Sequence, residues 1–285
     1  MNVVREDQSQ KHKGLRIFYI AILAICIISV VAAVIIQISS EQGMTGGNAI
    51  KLPELTDEQI SEHKGAFNNI FENKVNYLEN NSYKITRLDK DKEIVYMGYQ
   101  NNESKINDYE LKVNIPYINI NHEVVNEFNT QIKDIFEQKA KSILNTQNNN
   151  VIYTVDYVAY VSNNILSLVV RSTLKEGSNP QRDIVQTYNY DLANKKKCTI
   201  DDMLELKGIT KKDANKKIQS EIKSVQEKTE ELAKLGYTIY PRDYTNDIYS
   251  INNVTEYFMG ADNALYVIYA YGNENHTSEM DIVVM

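Results

Sequence analysis

The sequence is poor in residues that cross-link or hold metals in many exported proteins: two cysteines and four histidines in 285 residues. It also has four prolines and no tryptophan. Cys26 lies in a long apolar run and Cys198 stands alone downstream, so the sequence predicts no intrachain disulfide. A chain of this length can bury a core that is stable without such bridges.

The histidines have no metal-ligand spacing. The nearest approach to a ligand set is His276 with Glu279 and Asp281, close to the C-terminus. We interpret these three as solvated polar residues beside an apolar strand rather than as a mononuclear site. The sequence therefore predicts no metal and no other cofactor. The other histidines are spread along the chain, at His12, His63 and His122.

Catalytic motifs are missing as well. The chain has no Gly-x-Ser-x-Gly motif, and Cys198 has no histidine nearby in sequence. Adjacent Lys197 could lower the pKa of this thiol, but a lone thiol at a strand-to-helix junction indicates packing. Asp201 and Asp202 follow Thr199, where carboxylates complete a helix cap rather than an acid–base pair. We predict that the protein is not an enzyme, and we assign no catalytic, metal-binding or ligand-binding residue.

Charge is divided unevenly between the first residues and the rest of the chain. The net charge is −7, yet residues 1–16 carry four basic and two acidic side chains. All later residues together are therefore strongly acidic. Nucleic-acid binding requires a basic surface, so this balance excludes nucleic acid as a partner.

The longest apolar run predicts one transmembrane helix at residues 17–37. Residues 17–36 contain no charged side chain, and 20 helical residues span the roughly 30 Å of a bilayer's hydrocarbon core. Basic residues precede this run, so the positive-inside rule places residues 1–16, a short tail, in the cytoplasm. A cleaved signal peptide remains the alternative. We expect a single-pass protein of the cell membrane, in contact with the lipid bilayer and with its C-terminal part outside the cytoplasm.

A linker and one helix follow the transmembrane segment. Residues 38–55 contain glycine and serine, which is typical of a linker. Thr56 and Gln59 form a capping-box pattern, and apolar residues continue at helical spacing to about Asn80. The pattern predicts a juxtamembrane helix over 56–82, which forms either a stalk or part of the core.

Residues 83–285 have the pattern of an extracytoplasmic α+β domain. Asn163-Asn164 joins two runs of β-branched and aromatic residues, which predicts a hairpin over 151–174. The strands come in hairpins without a βαβ rhythm, so we predict an α+β fold with a mainly antiparallel sheet and packed helices. Other predicted strands lie at 83–88, 93–100, 109–115 (ended by Pro116), 184–191, 264–271 and 279–285, and predicted helices at 121–144 (capped by Asn121) and 210–235.

Tyrosine is the most abundant aromatic residue, with 20 copies. Tyrosines on an exposed sheet face could stack on sugar rings or contact a protein. The alternative, which we favour, is that they pack a half-covered sheet. The residues concerned are Tyr153, Tyr157, Tyr160, Tyr188, Tyr190, Tyr266, Tyr269 and Tyr271.

Three stretches carry a family resemblance over about residues 93–285: YELKVNIPYINI, YVSNNILSLVVRS and YNYDLANKKKCTIDDML. They resemble the paired domains of unknown function in exported proteins of Gram-positive bacteria, found in the lysozyme-sensing anti-sigma-V factor and the N-terminal part of a peptidoglycan deacetylase. The family's Gly-Gly-Ala-His-Gly-like loop is replaced here by EGSNPQRD. The short tail does not match the sigma-binding segment, and no deacetylase domain follows.

These observations together predict a membrane-anchored, non-enzymatic binding or sensing module at the bacterial cell envelope. The resemblance implies an extracellular protein partner such as a muramidase, or cell-wall glycan. A cell-wall (peptidoglycan) modifying enzyme, or its accessory domain, is the alternative. A scaffold subunit that reads no ligand is a third.

Overall fold

A computed structural model of the chain describes residues 55–78, 85–237, 240–270 and 280–285. The predicted cytoplasmic tail, transmembrane helix and nearly all of the linker lie outside these residues. Within the described part, no helix is both long enough and apolar enough to cross a membrane.

The described strands form two sheets, and antiparallel pairs predominate in both. The larger sheet has the order β2-β4-β5-β6-β7-β8, with β1 added beside β5 and β3 beside β4. Its parallel pairs are β4–β5 and β1–β5. The predicted α+β class with a mainly antiparallel sheet is confirmed. The strands of this sheet are β1 (Lys74–Tyr77), β2 (Val95–Asn101), β3 (Ser104–Lys105), β4 (Tyr109–Ile118), β5 (Val151–Ser162), β6 (Ile165–Glu176), β7 (Arg182–Asp191) and β8 (Lys196–Lys197).

The smaller sheet has the order β11-β10-β9 and is antiparallel throughout. Its strands are β9 (Glu256–Met259), β10 (Leu265–Ala270) and β11 (Met280–Val284). Two of them match predicted strands, whereas β9 was not predicted. Four residues that include a charged glutamate give too short a pattern to identify from sequence.

The described α-helices are capped mostly by threonine side chains. Thr56 and Thr199 each complete a capping box, and Thr210 accepts a hydrogen bond from the backbone of Asp213. Asn121 is not the cap predicted for the second helix, because His122 occupies that position and its side chain makes no capping bond. A π-helical turn, Lys133–Glu137, joins α2 to α3. The helices are α1 (Asp57–Ala66), α2 (Glu123–Ile132), α3 (Gln138–Asn145), α4 (Ile200–Lys207) and α5 (Lys211–Lys234).

The helix predicted over 56–82 is wrong beyond Ala66. The chain passes through the short 3₁₀ turn Phe67–Asn69 and then forms β1, which pairs with the second half of β5. Backbone hydrogen bonds to a distant strand override the helical spacing of the apolar residues. Because β1 belongs to the sheet, this segment joins the core and is not a free stalk.

Pro116 does not end its strand, as the sequence had suggested. β4 continues to Ile118, and Pro116 lies opposite Met97, at an irregularity in β2. The pairing of β4 with β5 stops at Val113, so the missing N–H of Pro116 costs no ladder bond on that side. The Asn163-Asn164 turn is confirmed, since both asparagines have positive φ, 47° and 62°.

Three apolar clusters hold these layers together. The helices of residues 123–145 cover one face of the large sheet. The opposite face is partly covered by α1 and the small sheet, where the rings of Phe258 and Tyr266 stack 4.4 Å apart. The other side of the small sheet packs against α4 and α5. One region of the large sheet is covered by none of the described elements, and it provides the candidate site.

Candidate functional site

The uncovered region lies on the first halves of β4 and β5. On β5, Tyr153 and Val155 point into the core below the helices, whereas Thr154 and Asp156 point to the other face and are half-buried. Lys112 of β4 lies beside Thr154 in the parallel register. The alternation of a strand thus gives one apolar packed face and one polar open face.

Asp156 lies where two strands share one edge of β5. β4 pairs with β5 up to Val155, and β1 takes over from Val158. At this split, Asp156 Oδ1 accepts hydrogen bonds from the side-chain amides of Asn73 (3.0 Å) and Asn114 (3.2 Å). Asn73 also exchanges hydrogen bonds with the backbone of Tyr157 and has a positive φ of 54°. Asparagine tolerates that conformation, so Asn73 bridges the gap between the diverging strands.

A groove of about 710 Å³ opens on this face, and we call it the sheet-face groove. Among the described residues that line it, the one cation is the ammonium group of Lys112, which lies 2.7 Å from Glu110. Three carboxylates line it, so the groove is acidic. Its lining residues are Asn102, Glu103, Ser104, Glu110, Leu111, Lys112, Asn114, Thr154 and Asp156.

The carboxylates of Glu110 and Asp156 are too far apart to act as a glycosidase pair. Glu110 lies opposite Ile152, and Asp156 is four residues further along β5. At about 3.3 Å per residue their strand positions are separated by roughly 13 Å. Catalytic carboxylates in glycoside hydrolases lie about 5–9.5 Å apart.

The sequence-derived metal candidates do not come together. His63 contacts the hydroxyl of Tyr266, and His122 lies beside Tyr190. Asp281 pairs with Arg242, and His276 and Glu279 lie outside the described residues. Within the described ranges, no group of three or more His, Cys, Asp or Glu residues has the arrangement of a metal site.

Asp201 and Asp202 have the structural roles that their position indicates. Asp202 completes the capping box with Thr199 and pairs with Lys196 at 2.6 Å, and Asp201 pairs with Lys211 at 2.8 Å. Cys198 is buried, and this burial raises the pKa of its thiol to about 12. The packing role that the sequence favoured for Cys198 is confirmed, and the alternative, a pKa lowered by Lys197, is not found because desolvation dominates.

The tyrosines pack the cores, and the interpretation favoured from sequence is confirmed. None of the described members of the series is more than 6% exposed, so they form no stacking surface for sugars. Tyr271 lies outside the described residues. The seven buried residues are Tyr153, Tyr157, Tyr160, Tyr188, Tyr190, Tyr266 and Tyr269.

Sequence reasoning missed the groove and its supporting residues. Asn73 and Asp156 are more than 80 positions apart, and no local motif links them. The one available signal was the alternation of β5, in which Thr154 and Asp156 occupy the polar positions. That alternation identifies an open face, but it does not show which strands lie beside it.

No family model matches the chain, and no curated protein matches it. Among solved structures, it is similar to a DUF3298 family protein from Pseudomonas aeruginosa PAO1, with 9% identity and a TM-score of 0.40, over 66% of this chain and 85% of that chain. It is also similar to a DUF3298 family member from Bacteroides fragilis, with 12% identity and a TM-score of 0.34, over 62% of this chain and 81% of that chain. These neighbours belong to an uncharacterised domain family. Likenesses this distant assign no ligand or activity, and the resemblance to the anti-sigma-V module stays a prediction.

Proposed function

We propose that this protein is a membrane-anchored, extracytoplasmic binding module of the cell envelope that recognises a basic protein partner and catalyses no reaction of its own. The sheet-face groove carries the proposal, because it is an acidic, uncovered region on an otherwise packed sheet. The apolar run at 17–37 and the basic residues before it supply the anchor and its orientation.

A cationic protein fits the groove better than a glycan does. Glycan sites commonly stack sugar rings on aromatic side chains, and no aromatic residue is among the described residues that line the groove. Its carboxylates, together with the acidic balance of the chain after residue 16, would attract a basic surface and speed its association. A lysozyme-type muramidase is such a partner, and the resemblance to the lysozyme-binding part of an anti-sigma factor favours the same class.

The charged groups of the groove support recognition rather than chemistry. Glu110 is neutralised by Lys112, and Asp156 is held by two asparagine amides. General acid–base catalysis needs a proton-transferring group within hydrogen-bond reach of the reacting atom and a suitably placed partner. The alternative, a peptidoglycan-modifying enzyme, would need such a pair, and the strand positions of Glu110 and Asp156 are too widely separated to provide it.

Binding to a lysozyme-type muramidase tests the proposal. Solubilised full-length protein should bind it saturably, and the affinity should fall as salt is raised from 50 to 500 mM, about the range over which surface charges become screened. Changing both Glu103→Gln and Glu110→Gln should weaken binding about tenfold, because two groove charges are lost. The matched control, Glu230→Gln with Glu231→Gln on α5, removes the same charge elsewhere and should leave the affinity unchanged.

Two results would contradict this function. Equal affinities for the groove variant and the α5 control would show that the groove is not the binding surface. Release of reducing ends or acetate from peptidoglycan, abolished by changing a single carboxylate, would instead support the enzyme.

A further inference from the structure

A second hollow, of about 260 Å³, lies beside the sheet-face groove, where the turn between β3 and β4 meets the start of β5. We call it the Ile106 hollow. Ile106 of the turn and Ile152 of β5 line it, and it shares Ser104 and Glu110 with the sheet-face groove. Because they share these residues, the two hollows adjoin each other.

The two isoleucines of this hollow are exposed. Ile106 is 91% exposed, the highest value among the large apolar side chains that the structure describes, and Ile152 is 42% exposed. Ile152 lies opposite Glu110 in the parallel register of β4 and β5. Single exposed apolar residues are common on protein surfaces, whereas an apolar pair in one hollow with charged residues around it has the anatomy of an interface.

The turn that carries Ile106 is held by several hydrogen bonds. Asn107 has a positive φ of 61°, and the backbone N–H of Asp108 donates to the Lys105 carbonyl at 3.0 Å. The Asp108 carboxylate accepts a hydrogen bond from the backbone N–H of Asn148 at 2.7 Å and pairs with the Lys105 ammonium, also at 2.7 Å. Because the turn is already ordered, little backbone entropy would be lost when a partner covers Ile106.

The charges around the two hollows favour a basic partner. Among the described residues that line them, four carboxylates stand against two ammonium groups, a formal balance of −2. Both ammonium groups are already paired with a carboxylate. Glu103 and Asp156 accept hydrogen bonds from asparagine amides and form no ion pair within the described part of the chain. A second copy of the chain that met this surface with its own would bring like charges together.

We propose that Ile106 and Ile152 form the apolar anchor of the docking surface, and that the basic partner presents an apolar side chain flanked by arginine or lysine. The apolar side chain would occupy the Ile106 hollow, which has the volume of about nine water molecules in the liquid. The flanking cations would meet Glu103 and Asp156. This inference rests on the proposed function, because it concerns the same surface and the same class of partner.

The anchor and the carboxylates should differ in how their contributions respond to salt. Burial of apolar surface depends little on ionic strength at these concentrations, whereas attraction between surface charges is screened. Titration of the solubilised full-length protein with a lysozyme-type muramidase at 50 and 500 mM salt measures both. Ile106→Ser should weaken binding by roughly 10- to 100-fold at both concentrations, the range for burying one such side chain. The effect of Glu103→Gln with Glu110→Gln should instead shrink at 500 mM.

Ile152→Thr should weaken binding several-fold, and Ile184→Thr is its matched control. Ile184 is 43% exposed and belongs to the same sheet, but it lines neither hollow, so its change should leave the affinity unchanged. Ile106→Ser should leave the thermal unfolding temperature unchanged, because the side chain is exposed.

The outcomes separate the anchor from the proposed function. Wild-type affinity in both Ile106→Ser and Ile152→Thr would overturn the anchor and leave the proposed function standing, and so would equal losses in Ile152→Thr and Ile184→Thr. Absence of binding by the wild-type protein would contradict the proposed function and the anchor with it.

Sedimentation of the solubilised protein without muramidase tests the other occupant, a second copy of the chain. The wild-type protein and Ile106→Ser should sediment alike. A larger wild-type assembly that Ile106→Ser dissociates would overturn the basic partner.

Discussion

One carboxylate oxygen of Glu256 on β9 accepts two hydrogen bonds from Thr187 on β7. The backbone N–H of Thr187 donates at 2.6 Å and the hydroxyl of Thr187 at 2.8 Å. This edge of β7 has its only described strand partner, β8, further along at Tyr190 and Asp191. The carboxylate therefore satisfies an N–H that no strand reaches, and it ties the small sheet to the large one.

Glu256 should make the free energy of unfolding fall as the pH rises from 4.5 to 7. Burial raises the pKa of this carboxyl to about 7, and the hydrogen bonds from Thr187 only partly oppose the rise. Within this window, Glu256 of the unfolded chain loses its proton while Glu256 of the folded protein keeps it. Below the pKa that Glu256 has in the unfolded chain there is therefore no loss of stability, and above pH 7 the loss is complete. The shift corresponds to about 3 kcal/mol.

Glu256→Gln should remove this dependence. The free energy of unfolding of the variant minus that of wild type should increase by up to about 3 kcal/mol as the pH rises. Urea denaturation at several pH values from 4 to 8 measures this difference. Glu231→Gln, on the exposed surface of α5, is the control and should show no such trend. A difference between wild type and Glu256→Gln that does not change with pH would refute the prediction.

Breaking the ion pair between Arg242 and Asp281 should be strongly destabilising. The side chains are 12% and 5% exposed, and Asp281 also accepts a hydrogen bond from the Tyr249 hydroxyl at 2.8 Å. Arg242→Met removes this cation from beside a buried carboxylate and should cost about 3–5 kcal/mol in urea denaturation. Adding Asp281→Asn should recover part of this loss, whereas additive losses would show that the pair is not coupled.

Gly98 has no space for a side chain, in contrast to Gly65. A Cβ on Gly98 would lie 2.5 Å from the ring of Tyr117, whereas one on Gly65, in α1, would meet nothing within 4 Å. Gly98→Ala should destabilise the protein by about 1–3 kcal/mol through overpacking. Gly65→Ala should stabilise it by about 0.5–1 kcal/mol, because alanine favours helix. Thermal and urea unfolding of both variants measure this, and equal effects would contradict the prediction.

The membrane topology can be tested on cells. Protease added to intact cells stripped of their wall should digest the chain beyond about residue 40 and spare the N-terminal tail, as the basic flank of the apolar run requires. Detection by tags at the two termini distinguishes the outcomes, with permeabilised cells as the control for protease access. Protection of the C-terminal tag in intact cells would reverse the orientation, and a mature N-terminus near residue 40 would indicate a cleaved signal peptide.

Features that depend on neighbours within about four residues could be predicted from sequence. The threonine caps at Thr56 and Thr199 and the Asn163-Asn164 turn are of this kind. Local hydrogen bonds and backbone preferences specify such features wherever the segment lies in the fold. The helices at 123–145 and 211–234 were predicted because an apolar stripe repeats along each of them.

Only the tertiary structure decided which faces are covered and which polar groups meet. Residues 74–77 form β1 instead of a helix because β5 supplies backbone hydrogen bonds. Tyr153 and Tyr157 are buried because helices lie over them, whereas Tyr160 is buried against the small sheet. Asp156 became part of a groove because β4 and β1 meet the same edge of β5 on either side of it. These relationships join residues that are distant in sequence, and the periodicity of a single strand shows which residues share a face but not what lies against it.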